Sequence, residues 1–348
     1  MTVLNCIERI PSILTSIQDN RADNFLPLKK YISNEEISRI VFVGSGSSYN
    51  AAHASKAFFE HLGIHVDLYY PNIFLNYTNQ FNPKALYVFI SQGGGTKLVY
   101  QAIEMVKEKG YKNCSITSNV ESPIAKVSDV TIDMGCGEEE YLYRTIGFSS
   151  TVATCWQLAI VMAGIENTEY DEDYQLMIEH LPEVKDVTLK YFEKHKFSLL
   201  RKQQVFITGT NDLYPIANEA DIKLMEMVPM VTRSFELEEF IHGPQNCFDS
   251  NIAYLVFARK GEDKEKATNI AKFLKNEIGY CAIVGDIALD ERDLFIDSKS
   301  QYFSNLEFVT VAQVLAYCWA NDKGRDLSRP VNAVVKKYVN KTIESETR

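Results

Sequence analysis

The sequence predicts an α/β protein built of two tandem, doubly wound parallel-sheet domains behind an N-terminal helical segment. Three observations lead there. Short β-branched runs alternate with helical stretches, as in parallel sheets covered by helices on both faces. The alternation runs twice along a chain of 348 residues, a length that suits about two domains. In the first run, two strand ends are followed by Gly/Ser-rich turns that open helices, the junctions at which open parallel sheets bind ligands.

Taken in order, residues 1–34 carry Val3, Ile7, Ile10, Leu14 and Ile17 at helical spacing, and Pro11 is expected to break that helix. A first domain follows over 35–165. Its strands are expected at 40–43, 65–70, 85–90, 113–117 and 130–133, with helices at 48–62, 96–109 and 149–164. Residues 166–200 are polar and helix-prone and read as a helical linker. The second domain, 201–325, repeats the script: Val205–Gly209 echoes Val41–Gly44, Tyr254–Gly261 echoes Tyr87–Gly94, and the run from Cys281 echoes that from Cys114. The last two pairs share an offset of 167 residues, which implies duplication of a whole domain. Residues 326–348 form a C-terminal tail.

Composition narrows the partners. Hydrophobic residues make up 46% and charged residues 24%, and 36 basic against 46 acidic side chains give a net charge of −10. Nucleic acid is not an expected partner, because its binding rests on Lys and Arg neutralising phosphates. Apolar runs such as Ala85–Ile90 fall far short of the ~20 residues of a membrane span, so no membrane partner is expected. The first residues lack the basic and apolar regions of a signal peptide. Seven dispersed cysteines form no C-x-x-C, so neither a zinc site nor a disulfide framework is expected and a reducing cytoplasm fits. His53, His61, His65, His180 and His195 show no ligand spacing, and no metal or organic cofactor is expected.

Two turns could hold an anion. Gly44-Ser-Gly-Ser-Ser48 follows the first strand and Ser91-Gln-Gly-Gly-Gly-Thr96 the third. A helix start offers amide N–H groups and a partial positive charge, glycines let the backbone approach, and Ser45, Ser47, Ser48, Ser91 and Thr96 add hydroxyls. The second copy has Gly209-Thr-Asn-Asp and Arg259-Lys-Gly-Glu instead, so a ligand site is expected in the first copy only. A dinucleotide loop would need a third glycine where Tyr49 stands, although Asp67 lies at a suitable distance. A Walker A loop would need a lysine absent from 44–50. Plain helix caps remain the bland reading of either turn alone.

Farther along, Glu219, Lys223 and Glu226 share one face of a helix, and His242-Gly-Pro244 begins 16 residues after Glu226. A carboxylate in a pocket can carry a proton between adjacent carbons, and a nearby histidine can serve ring and hydroxyl oxygens. The same residues could also make a salt-bridged surface helix and an ordinary turn.

In this order, Ser45-Gly-Ser-Ser-Tyr49, Ser91–Thr96, Glu219-x-x-x-Lys223-x-x-Glu226 and His242-Gly-Pro244 resemble the sugar isomerase (SIS) domain family over roughly 35–340. The likeness is to the isomerase half of glucosamine-6-phosphate synthase and to fructosamine-6-phosphate deglycases. The resemblance implies that Ser45, Ser47, Ser48, Ser91, Gln92 and Thr96 bind a substrate phosphate, and that Ser149, Ser150, Glu219 and Lys223 lie against the sugar. It implies Glu226 as the base that moves a proton between C1 and C2. It also implies His242 as the ring-opening residue, delivered by a neighbouring subunit of a homodimer.

Two departures stand out. Gly93 and Gly95 replace the family's second serine and acid in the second loop. The family's active-site lysine falls on Val335, leaving Lys336 or Lys337, with Lys336 the candidate after a one-residue shift. Thr2 stands where a glutaminase domain would carry its cysteine, and too few residues precede the first strand for such a domain, so glutamine-driven synthesis is not expected. The implied activity is aldose–ketose isomerisation of a 6-phosphorylated amino sugar or fructosamine with release of the amine. A non-catalytic phosphosugar sensor and a plain phosphosugar isomerase are the alternatives.

Overall fold

The computed structural model describes residues 2–165, 169–261 and 263–343. The chain divides into two compact units, one holding residues 12–139, 146–165 and 332–343, the other 2–11, 140–145, 169–261 and 263–331. The helices α1 (Val3–Asp19) and α2 (Arg21–Tyr31) come first. Pro11 lies inside α1 without ending it, contrary to the break expected there. An interior proline costs about 3 kcal/mol, and the stripe of Val3, Cys6, Ile7, Ile10, Leu14 and Ile17, all buried, outweighs that cost.

The first sheet-bearing unit runs β1 (Arg39–Val43), α3 (Ser47–His61), β2 (His65–Tyr69), α4 (Pro71–Tyr77), β3 (Ala85–Ile90), α5 (Lys97–Glu108), β4 (Asn113–Thr117), α6 (Pro123–Val127), β5 (Val130–Asp133) and α7 (Ile146–Met162). Its strands pair in parallel in the order β2-β1-β3-β4-β5. The helix α5 buries Val99, Ala102, Ile103 and Val106, one face at 3.6-residue spacing, against this sheet.

The other unit runs α8 (Glu169–Leu200), β6 (Gln204–Gly209), α9 (Tyr214–Met227), β7 (Val231–Glu236), β8 (Ile252–Ala258), α10 (Lys264–Phe273), β9 (Cys281–Gly285), β10 (Leu294–Phe295) and α11 (Asn305–Asp322). Read from one edge its strand order is β7-β6-β8-β9-β10, the same winding as the first sheet. Buried Ala267, Ile270, Ala271 and Leu274 repeat the stripe of α5. The duplication heard in three strand echoes thus extends to topology and helix faces. Residues 169–200, read as linker, are one helix that packs on α11 within this unit and buries Tyr174, Met177, Leu181, Val184 and Phe192. Among the described residues no helix is long and apolar enough to cross a membrane, and no cluster of three or more His, Cys, Asp or Glu is placed to hold a metal.

Candidate active site

Both loops of the first copy lie at the carboxyl ends of β1 and β3, neighbouring strands from which the winding departs in opposite directions. That switch point leaves a crevice between helix starts. After β1, Gly46 adopts φ 57°, ψ −131°, a conformation reserved for glycine, and turns the chain into α3. The side chain of Ser45 is exposed, and those of Ser47 and Ser48 are half-buried on the first turn of a 15-residue helix.

After β3, Ser91 Oγ and Thr96 Oγ1 lie 2.8 Å apart across the second loop. The residue between them that must be glycine is Gly94: its φ is +65°, and a Cβ there would fall 1.9 Å from Ser122 Oγ. Gly93 and Gly95 are different. A Cβ at Gly93 meets nothing within 4 Å, and one at Gly95 makes only ordinary contact with Ile343, so packing does not dictate these two departures. The carbonyl of Gln92 accepts from Ser118 N (2.9 Å), Ser118 Oγ (2.7 Å) and Thr117 Oγ1 (3.0 Å), which anchors the loop. The C-terminal tail also reaches it: Ile343 N donates to Gly95 O at 2.7 Å and Lys97 N to Lys341 O at 3.1 Å. A groove of about 1270 Å³ beside this loop takes in Gly93 and Gly95 but not Ser91, Gln92 or Thr96, so it flanks the loop on one side.

The matching switch point of the second copy is filled by the chain itself. Arg259, just past β8, donates to Asp212 Oδ1 at 2.6 Å, Asn305 Oδ1 at 2.9 Å and Ser304 Oγ at 2.9 Å. An arginine–aspartate pair of the protein thus ties together the two loops that correspond to those of the first copy.

On α9 the three charged residues meet as their spacing predicts. Lys223 Nζ lies 2.7 Å from Glu226 Oε2 and 3.5 Å from Glu219 Oε1. The side chains of Glu219 and Lys223 are 0% and 1% exposed, whereas that of Glu226 is 41% exposed. Lys223 and Glu219 therefore stand behind Glu226 as a buried support, and Glu226 alone of the three meets solvent. Arg325 Nε reaches Met227 O at 3.4 Å, a cation at the C-terminal end of α9.

His242 ends a short 3-10 turn and is 59% exposed at its side chain. Its Nδ1 lies 2.9 Å from the carbonyl of Glu238, and since a carbonyl only accepts, Nδ1 carries a proton and donates it there, which leaves Nε2 facing away from that contact. Lys336 and Lys337 lie in an exposed 3-10 turn, Ala333–Lys337, of the tail. Ser149 and Ser150 sit on the first turns of α7, both buried, with no hydrogen-bond partner at either hydroxyl among the described residues.

One participant escaped the sequence. Glu139 Oε1 accepts from Ile146 N (2.9 Å), and its Oε2 accepts from Gly147 N (3.1 Å) and Gln92 Nε2 (3.2 Å). The acidic run Glu138–Glu140 ahead of α7 was the available signal, but it lies outside cap spacing.

Residues 32–163 match the SIS domain family. Among curated proteins, the glutamine–fructose-6-phosphate aminotransferase (isomerizing) of Campylobacter jejuni is 27% identical over 312 residues, which are 86% of this chain and 52% of that protein. The chain thus spans about half the length of the curated relatives it matches. Three solved structures share the fold. A candidate phosphosugar isomerase of Clostridium difficile 630 gives a TM-score of 0.89 at 23% identity, covering 99% of each chain. The C-terminal domain of glucosamine-fructose-6-phosphate aminotransferase from Francisella tularensis gives 0.84 at 19% identity, over 94% of this chain and 98% of that one. Glucosamine-6-phosphate deaminase of Thermotoga maritima gives 0.74 at 23% identity, over 94% and 98%. The match to the SIS domain covers residues 32–163, the stretch that holds the first of the two sheets.

Proposed function

We propose that this chain is a phosphosugar isomerase that releases an amine from a 6-phosphorylated amino sugar or fructosamine. The observation that carries the reading is Glu226, a solvent-accessible carboxylate fixed at 2.7 Å by a lysine whose side chain is 1% exposed. A base for C–H abstraction must be both held and reachable, and this one is. The deaminase and aminotransferase among the relatives act, by their names, on phosphorylated amino sugars or on fructose 6-phosphate with glutamine.

In this reading the substrate phosphate binds at Ser45, Ser47, Ser48, Ser91, Gln92 and Thr96, on helix-start amides and neutral hydroxyls. His242, held through Nδ1 by the carbonyl of Glu238, takes part in opening the ring through Nε2. Glu226 removes a proton from one of C1 and C2 and returns it to the other. The carbon–nitrogen single bond becomes C=N, and water hydrolyses it to a carbonyl and a free amine. Ser149 and Ser150 supply buried hydroxyls to the sugar, and Lys336 or Lys337 supplies a tail cation. The exposure of His242 supports its action in a neighbouring subunit of a homodimer.

The test is amine release and sugar-phosphate conversion on glucosamine 6-phosphate, fructoselysine 6-phosphate, glucoselysine 6-phosphate and fructose 6-phosphate. Free amine with a phosphosugar product supports the proposal. Conversion of fructose 6-phosphate alone makes the protein a plain isomerase, and binding without conversion makes it a sensor. Mixing the inactive variants Glu226→Gln and His242→Ala tests the shared site: activity recovered on subunit exchange supports it, and none refutes it.

A further inference from the structure

The N-terminal amides of α7, a 17-residue helix, form a positive end comparable to those that open α3 and α5. At α7 the chain brings its own anion. The carboxylate of Glu139 spans Ile146 N and Gly147 N and also takes the side-chain amide of Gln92. Gly147 is required by that arrangement: a Cβ there would lie 1.9 Å from Gln92 Oε1. Because the main chain of Gln92 is bound at Ser118 and Thr117, its side chain is the link between the second loop and α7. On the next turn come Ser149 and Ser150, buried hydroxyls without partners among the described residues, the kind of group that a ligand satisfies.

We propose that Glu139 is a positioning residue with two effects, an inference that rests on the phosphosugar reading above. It joins the loop Ser91–Thr96 to the first turn of α7, so that the groups gripping phosphate and those facing the sugar form one hydrogen-bonded frame. It also fills the anion-binding end of α7 with a negative charge, which turns phosphate away from that helix and toward the starts of α3 and α5. The substrate is thereby bound in one direction, with its phosphate away from α7.

The test uses the full chain with Glu139→Ala and Glu139→Gln. On whichever phosphosugar the wild type converts, Glu139→Ala should raise KM about tenfold or more while kcat changes less than about threefold, the loss expected when hydrogen bonds to a charged group disappear. Glu139→Gln, which keeps one acceptor, should fall between the two. Formate at tens of millimolar should return the KM of Glu139→Ala toward the wild-type value by re-occupying the vacated amides. A role confined to stability would lower the melting temperature and gain nothing in KM from formate. An unchanged KM in Glu139→Ala, or a raised KM that formate does not lower, overturns the proposal. If the wild type converts no phosphosugar, the functional reading fails, and the vacated anion site is then read alone. Formate should raise the melting temperature of Glu139→Ala and not of the wild type, and equal shifts in both overturn it.

Discussion

Replacing Lys223 by Met tests whether the charged face of α9 is a buried support or surface decoration. The ammonium lies 3.5 Å from a carboxylate, Glu219, whose side chain is 0% exposed, and 2.7 Å from Glu226, which is 41% exposed. The half-exposed pair is screened by solvent and contributes at most about 1 kcal/mol. The buried one is different in kind: removing one partner of a buried ion pair leaves an uncompensated charge and costs about 3–5 kcal/mol. At about 2–4 °C per kcal/mol for a unit of this size, the melting temperature should fall by roughly 6–20 °C. Adding Glu219→Gln removes the buried carboxylate that faced Lys223, so the double variant should recover part of that loss in a double-mutant cycle. The assay is thermal and urea unfolding followed by circular dichroism. A loss below about 0.5 kcal/mol for Lys223→Met, or no recovery in the double variant, would refute the buried-pair reasoning.

Other perturbations follow from the loops and from burial. Gly94→Ala should destabilise by about 2 kcal/mol or more, because its φ of +65° and the 1.9 Å approach to Ser122 Oγ both resist a Cβ. Gly93→Ser, facing open space, should leave stability within about 0.5 kcal/mol and tighten phosphosugar binding, as calorimetry would show. Asp212→Ala should free the Arg259 guanidinium, so that inorganic phosphate raises the melting temperature of the variant more than that of the wild type. Burial, helped by the charge of Lys56, holds the imidazole of His53 below its ordinary value of 6.5. The unfolded chain then takes up a proton near pH 6.5 that the folded chain refuses, so stability is full above that pH and falls as pH drops below it. Urea unfolding at pH 7.5 and 5.5 should show this loss, and His53→Gln should reduce it.

The sequence made the first sheet legible because its five strands are short apolar runs with turn residues between them, and all five lie where the runs predict. The second sheet was half legible. Its edge strands β7 and β10 were missed, since β7 alternates exposed and buried residues over a polar string and β10 has only 2 residues. The helices α4 and α6 each begin with a proline at the first helical position, a signal that was present and unread. The polarity of 166–200 suggested a linker, but the apolar stripe of α8 is sparse over 32 residues and is satisfied by α11. At the site, spacing along α9 put Glu219, Lys223 and Glu226 on one face, yet could not say which of them is buried. Glu139 and the Arg259–Asp212 pair depend on contacts between distant parts of the chain, which no local pattern encodes.

The central claim is that Glu226 moves a proton between C1 and C2 of a phosphosugar. The direct measurement is deuterium incorporation at those carbons, followed by proton NMR in D₂O with glucosamine 6-phosphate and fructoselysine 6-phosphate, for the wild type and for Glu226→Gln. The account predicts solvent deuterium at C1 or C2 with the wild type. With Glu226→Gln it predicts loss of exchange by at least about a hundredfold while phosphosugar binding persists. Exchange at the wild-type rate in Glu226→Gln would contradict it.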